Sequence, residues 1–276
     1  MSHILQKVAP IGESRDKELL KSASSYIYAT RDGVDLLAHV FFPDGIATGE
    51  RPVVAFFHGG FWDTSMVSQF VPHCHHFASR GAVAVTFSYR TGSSGNGNPM
   101  EALEDAQDAI VWLHENAKNL GIDTTNIALS GASGGAYLAL LLVMRKEKEY
   151  APPFLPKAMV LFSALVNTGP KGQLGDKFPD PKTAKHLSPN DLLRRKLPAM
   201  LFLHGKSDRV TPFEEVASFC RRMKWRRNKV QLLDFMGADH SFFNFNVHHG
   251  NFEMTVGAAD HFLVEQGIIA PEPVED

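Results

Sequence analysis

Along this chain, runs such as PVVAFFH, AVAVTFSY, NIALSG, KAMVLFSA, AMLFLHG and VQLLDFM are apolar at nearly every position. A strand with polar residues on alternate positions can leave one face in water, but a run apolar throughout must be covered on both, as in a parallel sheet flanked by helices. Two earlier runs, 24–30 (SSYIYAT) and 34–42 (VDLLAHVFF), flank Arg31-Asp32-Gly33, a turn sequence that predicts an antiparallel hairpin. Helical periodicity fills the gaps. MEALEDAQDAIVWLHENAKNLG sets Leu103, Ala106, Ala109, Ile110 and Leu113 along one stripe and offers Gly121 as a C-cap, and further helices are predicted over 134–144, 213–224 and 251–266.

The pattern therefore predicts an α/β fold with an eight-stranded, mostly parallel sheet that opens on an antiparallel N-terminal hairpin and carries helices on both faces. One domain over 1–276 accommodates it. The segment 166–195 breaks the alternation. It is rich in Pro, Gly, Lys and Asp, follows the sixth predicted strand, and reads as a lid-like insertion or binding wall, with a merely tolerated surface insertion as the plainer reading.

Composition narrows the function classes. Hydrophobic residues make up 44% and charged residues 21%, values of an ordinary globular protein. A net charge of −2 gives no field to gather nucleic acid, and the basic run RRMKWRRNK at 221–229 reads as a solvated helix end. Two cysteines, Cys74 and Cys220, make no disulfide framework. The first residues lack the apolar core of a secretory signal, and no run reaches transmembrane length, so a cytoplasmic protein without membrane insertion is expected. A homodimer is left open.

The chemistry gathers at strand ends. NIALSGASGGAYLAL places Ser133 between a predicted strand and a predicted helix, flanked by Gly131 and Gly135. Gly-x-Ser-x-Gly at such a junction is the nucleophile elbow, a turn so tight that strand and helix leave no room for side chains beside the serine. A dinucleotide fingerprint would need glycine where Ser133 stands. A serine nucleophile requires a base, an acid to orient the base, and donors for the oxyanion. HGGFW, ending the third run, supplies small residues around Gly60 and Phe61; LFLHGKSDRVTP ends the seventh with Asp208; LLDFMGADHSFF ends the eighth with His240.

With these motifs in the order Ser, Asp, His, the chain resembles the α/β-hydrolase family, and within it the acetyl esterase and lipase-like members with an HGG-type oxyanion loop. The resemblance runs over about 24–269. It implies Ser133 as nucleophile, His240 as general base and then acid, Asp208 as the group that orients the imidazole, and backbone N–H groups of Gly60, Phe61 and Gly134 as oxyanion donors. It departs from many relatives in reading HGGF for HGGG, and in placing Ala132 and Gly134 around the serine. Completed by Trp62, the loop also resembles the arylformamidase branch, which cleaves a formamide; other relatives have lost catalysis and serve as binding proteins.

Rivals exist for each role. Asp208 could simply cap the following helix, and Asp239 and Asp234 are weaker acids by position. His204 and His58 precede glycines and read as loop-holding residues. HCHH at 73–76 lacks the separated partners of a zinc site, so neither metal nor cofactor is expected. Trp62 and Phe242 flank the candidate residues and are assigned to substrate binding, although packing is the commoner fate of such aromatics. The polar insertion and the short N-terminal lead point to small-molecule esters with short acyl groups of the acetyl type.

Overall fold

The computed structural model describes residues 7–8, 14–45, 49–94, 97–146 and 152–272. Strands β1 (Lys7–Val8), β2 (Ser24–Arg31), β3 (Val34–Phe41), β4 (Arg51–Phe57), β5 (Val83–Phe87), β6 (Ile122–Ala132), β7 (Ala158–Phe162), β8 (Ala199–Gly205) and β9 (Val230–Phe235) form one sheet. Its spatial order is β1-β2-β3-β5-β4-β6-β7-β8-β9. β1 to β3 and the β3–β5 pair are antiparallel, and every pairing from β5 through β4 to β9 is parallel. The eight expected strands are all present. The two-residue β1 adds a ninth at the edge, too short to leave a periodic signal. Asp32 and Gly33 close the hairpin with φ of 51° and 78°, the left-handed pair that a two-residue turn between twisted strands demands.

Eight helices accompany the strands among the described residues: α1 (Ser14–Leu19), α2 (Val71–Ser79), α3 (Pro99–Glu115), α4 (Ala117–Leu120), α5 (Gly134–Met144), α6 (Pro181–His186), α7 (Phe213–Trp225) and α8 (His249–Glu265). The helix expected through residue 121 is divided at Asn116, and Gly121 ends the second piece at φ 63°. Strand alternation then explains the continuously apolar runs. In β4, Val53, Ala55 and Phe57 enter one core with Leu103, Ile110 and Tyr137, while Val54 and Phe56 enter the other with Phe70, Phe77 and Phe262. Each buried Val, Leu, Ile or Phe side chain of this kind contributes about 2 kcal/mol through the area it removes from water. None of the described helices is long and apolar enough to cross a membrane. The first residues, on which the signal-peptide reading rested, lie largely outside the described ones.

This architecture puts the carboxyl ends of β4, β6, β8 and β9 along one rim, the place where open α/β sheets hold ligands. Tyr89 and Arg90 brace that rim. The Tyr89 hydroxyl donates to the carbonyl of His58 at 2.7 Å, and Arg90 bridges Asp105 on α3 and Asp32 on the hairpin turn at 2.8 Å each.

Candidate active site

Ser133 follows β6 and opens α5 with φ 52° and ψ −116°, a conformation costly for a residue with a side chain. The glycine spacing shows why the chain accepts it. A Cβ at Gly135 would lie 2.1 Å from the carbonyl oxygen of Phe57 and 2.2 Å from that of His58, so β4 passes directly over the first turn of the helix. At Gly131 a Cβ would lie 2.6 Å from the Gly135 carbonyl group. The Ser133 hydroxyl is buried and meets no hydrogen-bond partner among the described residues. It faces a cavity of about 310 Å³ that it shares with Gly60, Phe61, His240, Ser241 and Phe243.

His240 and Asp208 meet across the ends of β9 and β8. The imidazole Nδ1 lies 2.8 Å from Asp208 Oδ2, which fixes the ring and leaves its other nitrogen as the one free to exchange a proton. The Phe61 ring stacks on the imidazole with centroids 5.5 Å apart. Asp208 is held from every side: the N–H groups of Val210 and Thr211 donate to Oδ1 at 2.9 Å, and the Thr211 hydroxyl donates to Oδ2 at 2.9 Å. His204 Nε2 stands 3.3 Å from the same Oδ2. Burial alone would favour the neutral acid, but hydrogen bonds from His204, His240 and the Thr211 backbone outweigh it and hold the carboxyl well below the usual aspartate range. Asp208 is thus a permanent anion beside His240. Asp239 and Asp234 take no part, since Asp239 accepts from the Ser241 N–H and Asp234 pairs with Lys206.

The turn after β4 carries three successive residues at positive φ: Gly60 at 107°, Phe61 at 53° and Trp62 at 65°. A Cβ at Gly60 would collide with the Thr64 carbonyl oxygen at 2.3 Å, so glycine is required there. The N–H of neighbouring Gly59 is taken up by Gln69 Oε1 at 2.7 Å. Gly134 sits at the N-terminus of α5, where helix amides favour negative charge.

Two expected substrate contacts lie elsewhere. The positive φ at Trp62 turns its indole inward, where it is fully buried, covers Gly134 and packs edge-on to Tyr137 and Phe178. Phe242 is buried against Phe235 and Phe243, and of the two adjacent phenylalanines it is Phe243 that reaches the cavity. No residue of 166–195 lines that cavity either. The insertion instead packs behind the turn after β4 through Phe178 on Trp62 and an ion pair from Lys177 to Asp63. Sequence reasoning gave no role to Thr211, which bonds the acid from three residues further along the chain, or to Gln69 and Asn244, whose side chains meet across 175 residues of chain. The histidines of 73–76 diverge: His73 is buried among phenylalanines, His75 meets Ser22 and His76 pairs with Asp260.

A hydroxyl held alone at a strained turn, an imidazole oriented by a carboxylate and a set of amides at one cavity together suit attack on a carbonyl carbon. Comparison with known proteins agrees with that chemistry. The family model BD-FAE matches residues 39–159. Esterase 2 of Thermogutta terrifontis in its apo form is similar at 34% identity and a TM-score of 0.84, over 92% of this chain and 98% of that one. Its propionate-bound form matches at 33% identity with the same TM-score of 0.84, over 92% and 98%. Esterase LipC of Mycobacterium tuberculosis is 27% identical over 71% of this chain and 54% of its own length. Carboxylesterase NlhH of that bacterium is 28% identical over 45% of this chain and 39% of its own. The chain thus spans about half or less of the length of these curated relatives.

Proposed function

The chain belongs to the α/β-hydrolase family, alongside its esterases, and on that footing we propose that it hydrolyses short-chain carboxylic esters through an acyl-serine intermediate. His240 takes the proton of the Ser133 hydroxyl as the oxygen attacks the ester carbonyl, and Asp208 stabilises the imidazolium that forms. The carbonyl oxygen becomes an anion held by the N–H of Gly134 with that of Gly60 or Phe61. Collapse expels the alcohol, which leaves with the proton from His240. Water, activated by the same imidazole, then frees the acid and restores Ser133. The reaction uses side chains and backbone amides alone.

The observation that carries this reading is the buried, unbonded Ser133 hydroxyl at φ 52° in a cavity that also holds the Asp208-oriented His240. A cavity of about 310 Å³ is near the small end for ligand sites and suits an acetyl to butyryl group. Propionate- and butyrate-bound structures of the Thermogutta esterase support the same size range.

The test is hydrolysis of p-nitrophenyl acetate, butyrate and octanoate by the native chain and Ser133→Ala, with N-formylkynurenine alongside. Turnover of acetate and butyrate should exceed that of octanoate, and Ser133→Ala should lower kcat by at least about a thousandfold. Full turnover in Ser133→Ala would refute the serine mechanism. Preference for the formamide would shift the reading to amide hydrolysis, and a chain that neither turns over nor is titrated by an organophosphate would be a binding protein.

A further inference from the structure

A second cavity of about 360 Å³ lies against the first, lined among others by Arg15, Leu19, Ser65, Phe245 and Val247. The two have Met66, Gln69, Ser241 and Asn244 in common, so these four residues form the wall between them. At its centre Gln69 Nε2 donates to Asn244 Oδ1 at 3.0 Å. Both amides are tied at their other ends, Gln69 Oε1 to the Gly59 N–H at 2.7 Å and Asn244 Nδ2 to the Ser241 carbonyl at 3.0 Å. The wall is thereby anchored to the oxyanion turn on one side and to the residue after His240 on the other. With Met66 of the wall itself, exposed by 40%, Leu19, Phe245 and Val247 beyond it are exposed by 39%, 47% and 54%, a cluster of apolar surface at the mouth of a single cavity.

We infer that the Gln69–Asn244 hydrogen bond sets the length of substrate the Ser133 cavity accepts, and that the cavity behind it is a latent subsite for an unbranched aliphatic chain of the ester. The inference rests on the esterase reading above. With the wall intact, a chain that grows past the first cavity must displace two hydrogen-bonded amides; with the wall removed, added methylenes gain apolar burial against Met66, Phe245 and Val247.

Asn244→Ala opens the wall. The ratio of kcat/KM for octanoate over acetate p-nitrophenyl esters should rise at least about tenfold, in line with the discrimination a few methylenes provide. Ethyl and octyl acetate tell whether the chain enters from the acyl or the alcohol side. Adding Val247→Trp, which fills the second cavity, should cancel the gain. Met66→Ala thins the same wall and decides the matter if Asn244→Ala fails to fold by circular dichroism. Calorimetric binding of octanoate repeats the comparison without turnover, and Asn244→Ala should bind it at least about tenfold more tightly than the native chain. Unchanged ratios and unchanged octanoate binding in folded variants would overturn the inference, as would a gain that survives Val247→Trp. Loss of all ester turnover in the native chain, with octanoate binding still responsive to Asn244, would instead count against the esterase reading alone.

Discussion

Asp208 shows how one side chain can be held charged inside a protein. Four groups hydrogen-bond to its two oxygens and His204 Nε2 stands 3.3 Å away, and together they lower its pKa against the pull of burial. A carboxyl with a depressed folded-state pKa contributes its full stabilisation above its unfolded value near 4, and that contribution declines as pH falls from there and is gone once pH has passed the lower folded value. Asp208→Asn keeps the shape and removes the charge. We expect kcat to drop by roughly 10⁴-fold with little change in KM, measured on p-nitrophenyl acetate. A fall of less than about tenfold would show that His240 does not depend on the anion. Ser133, Asp208 and His240 fall on one rim because each follows an apolar run that reads as a strand, although β9, at the sheet edge, keeps only Val230 buried. The direction of the Trp62 side chain could not be read from the chain: which way an aromatic points after Gly60 depends on three consecutive positive φ angles, and no local pattern announces those at Phe61 and Trp62. Thr211 escaped for a similar reason, since a threonine near a helix start gives no sign that its hydroxyl will reach back to an acid.

The insertion between β7 and β8 has a different task from the one its length and polarity suggested. Its Phe178 is buried against Trp62, and Trp62 in turn covers Gly134, so the segment packs behind the turn that follows β4, and none of its residues lines the Ser133 cavity. Phe178→Ala should cost about 3–5 kcal/mol of stability by leaving a cavity beneath Trp62. It should also lower kcat more than it raises KM, because the amides would lose rigidity while the cavity walls stay in place. A melt combined with steady-state kinetics checks both, and an unaltered kcat would sever the insertion from the site. The strands and long helices were legible because each repeats its signal over many residues. The six-residue α1 and α6 and the two-residue β1 are too short to do so, and the course of 166–195 is set by where Phe178, Ala184 and Leu187 find apolar partners.

Taken together, the fold buries four imidazoles among the described residues, those of His39, His58, His73 and His204. Burial pushes His39 and His58 down to about 4 and His73 to about 3. Each stays neutral in the folded chain at a pH where the unfolded chain, with ordinary histidines near 6.5, binds a proton. Stability is therefore full above about 6.5 and declines as pH falls toward 4, at a cost of up to roughly 3 kcal/mol for each imidazole. Urea unfolding at pH 7, 5.5 and 4.5 should show the midpoint falling through this window. His73 meets no hydrogen-bond partner among the described residues and sits among Phe56, Phe70, Phe162, Phe243 and Phe252, so His73→Phe should lessen the fall; equal slopes in both chains would refute its share. The same two-sided burial governs α5, whose residues from Gly134 to Met144 are all buried and which has no polar face. A newly made chain exposes part of this apolar stretch before the segment 166–195, whose Phe178 packs on Tyr137 and whose Arg194 donates to the Val143 carbonyl, has been synthesised. The helix that opens on Ser133 is thus also an apolar surface by which unfinished chains would adhere to each other.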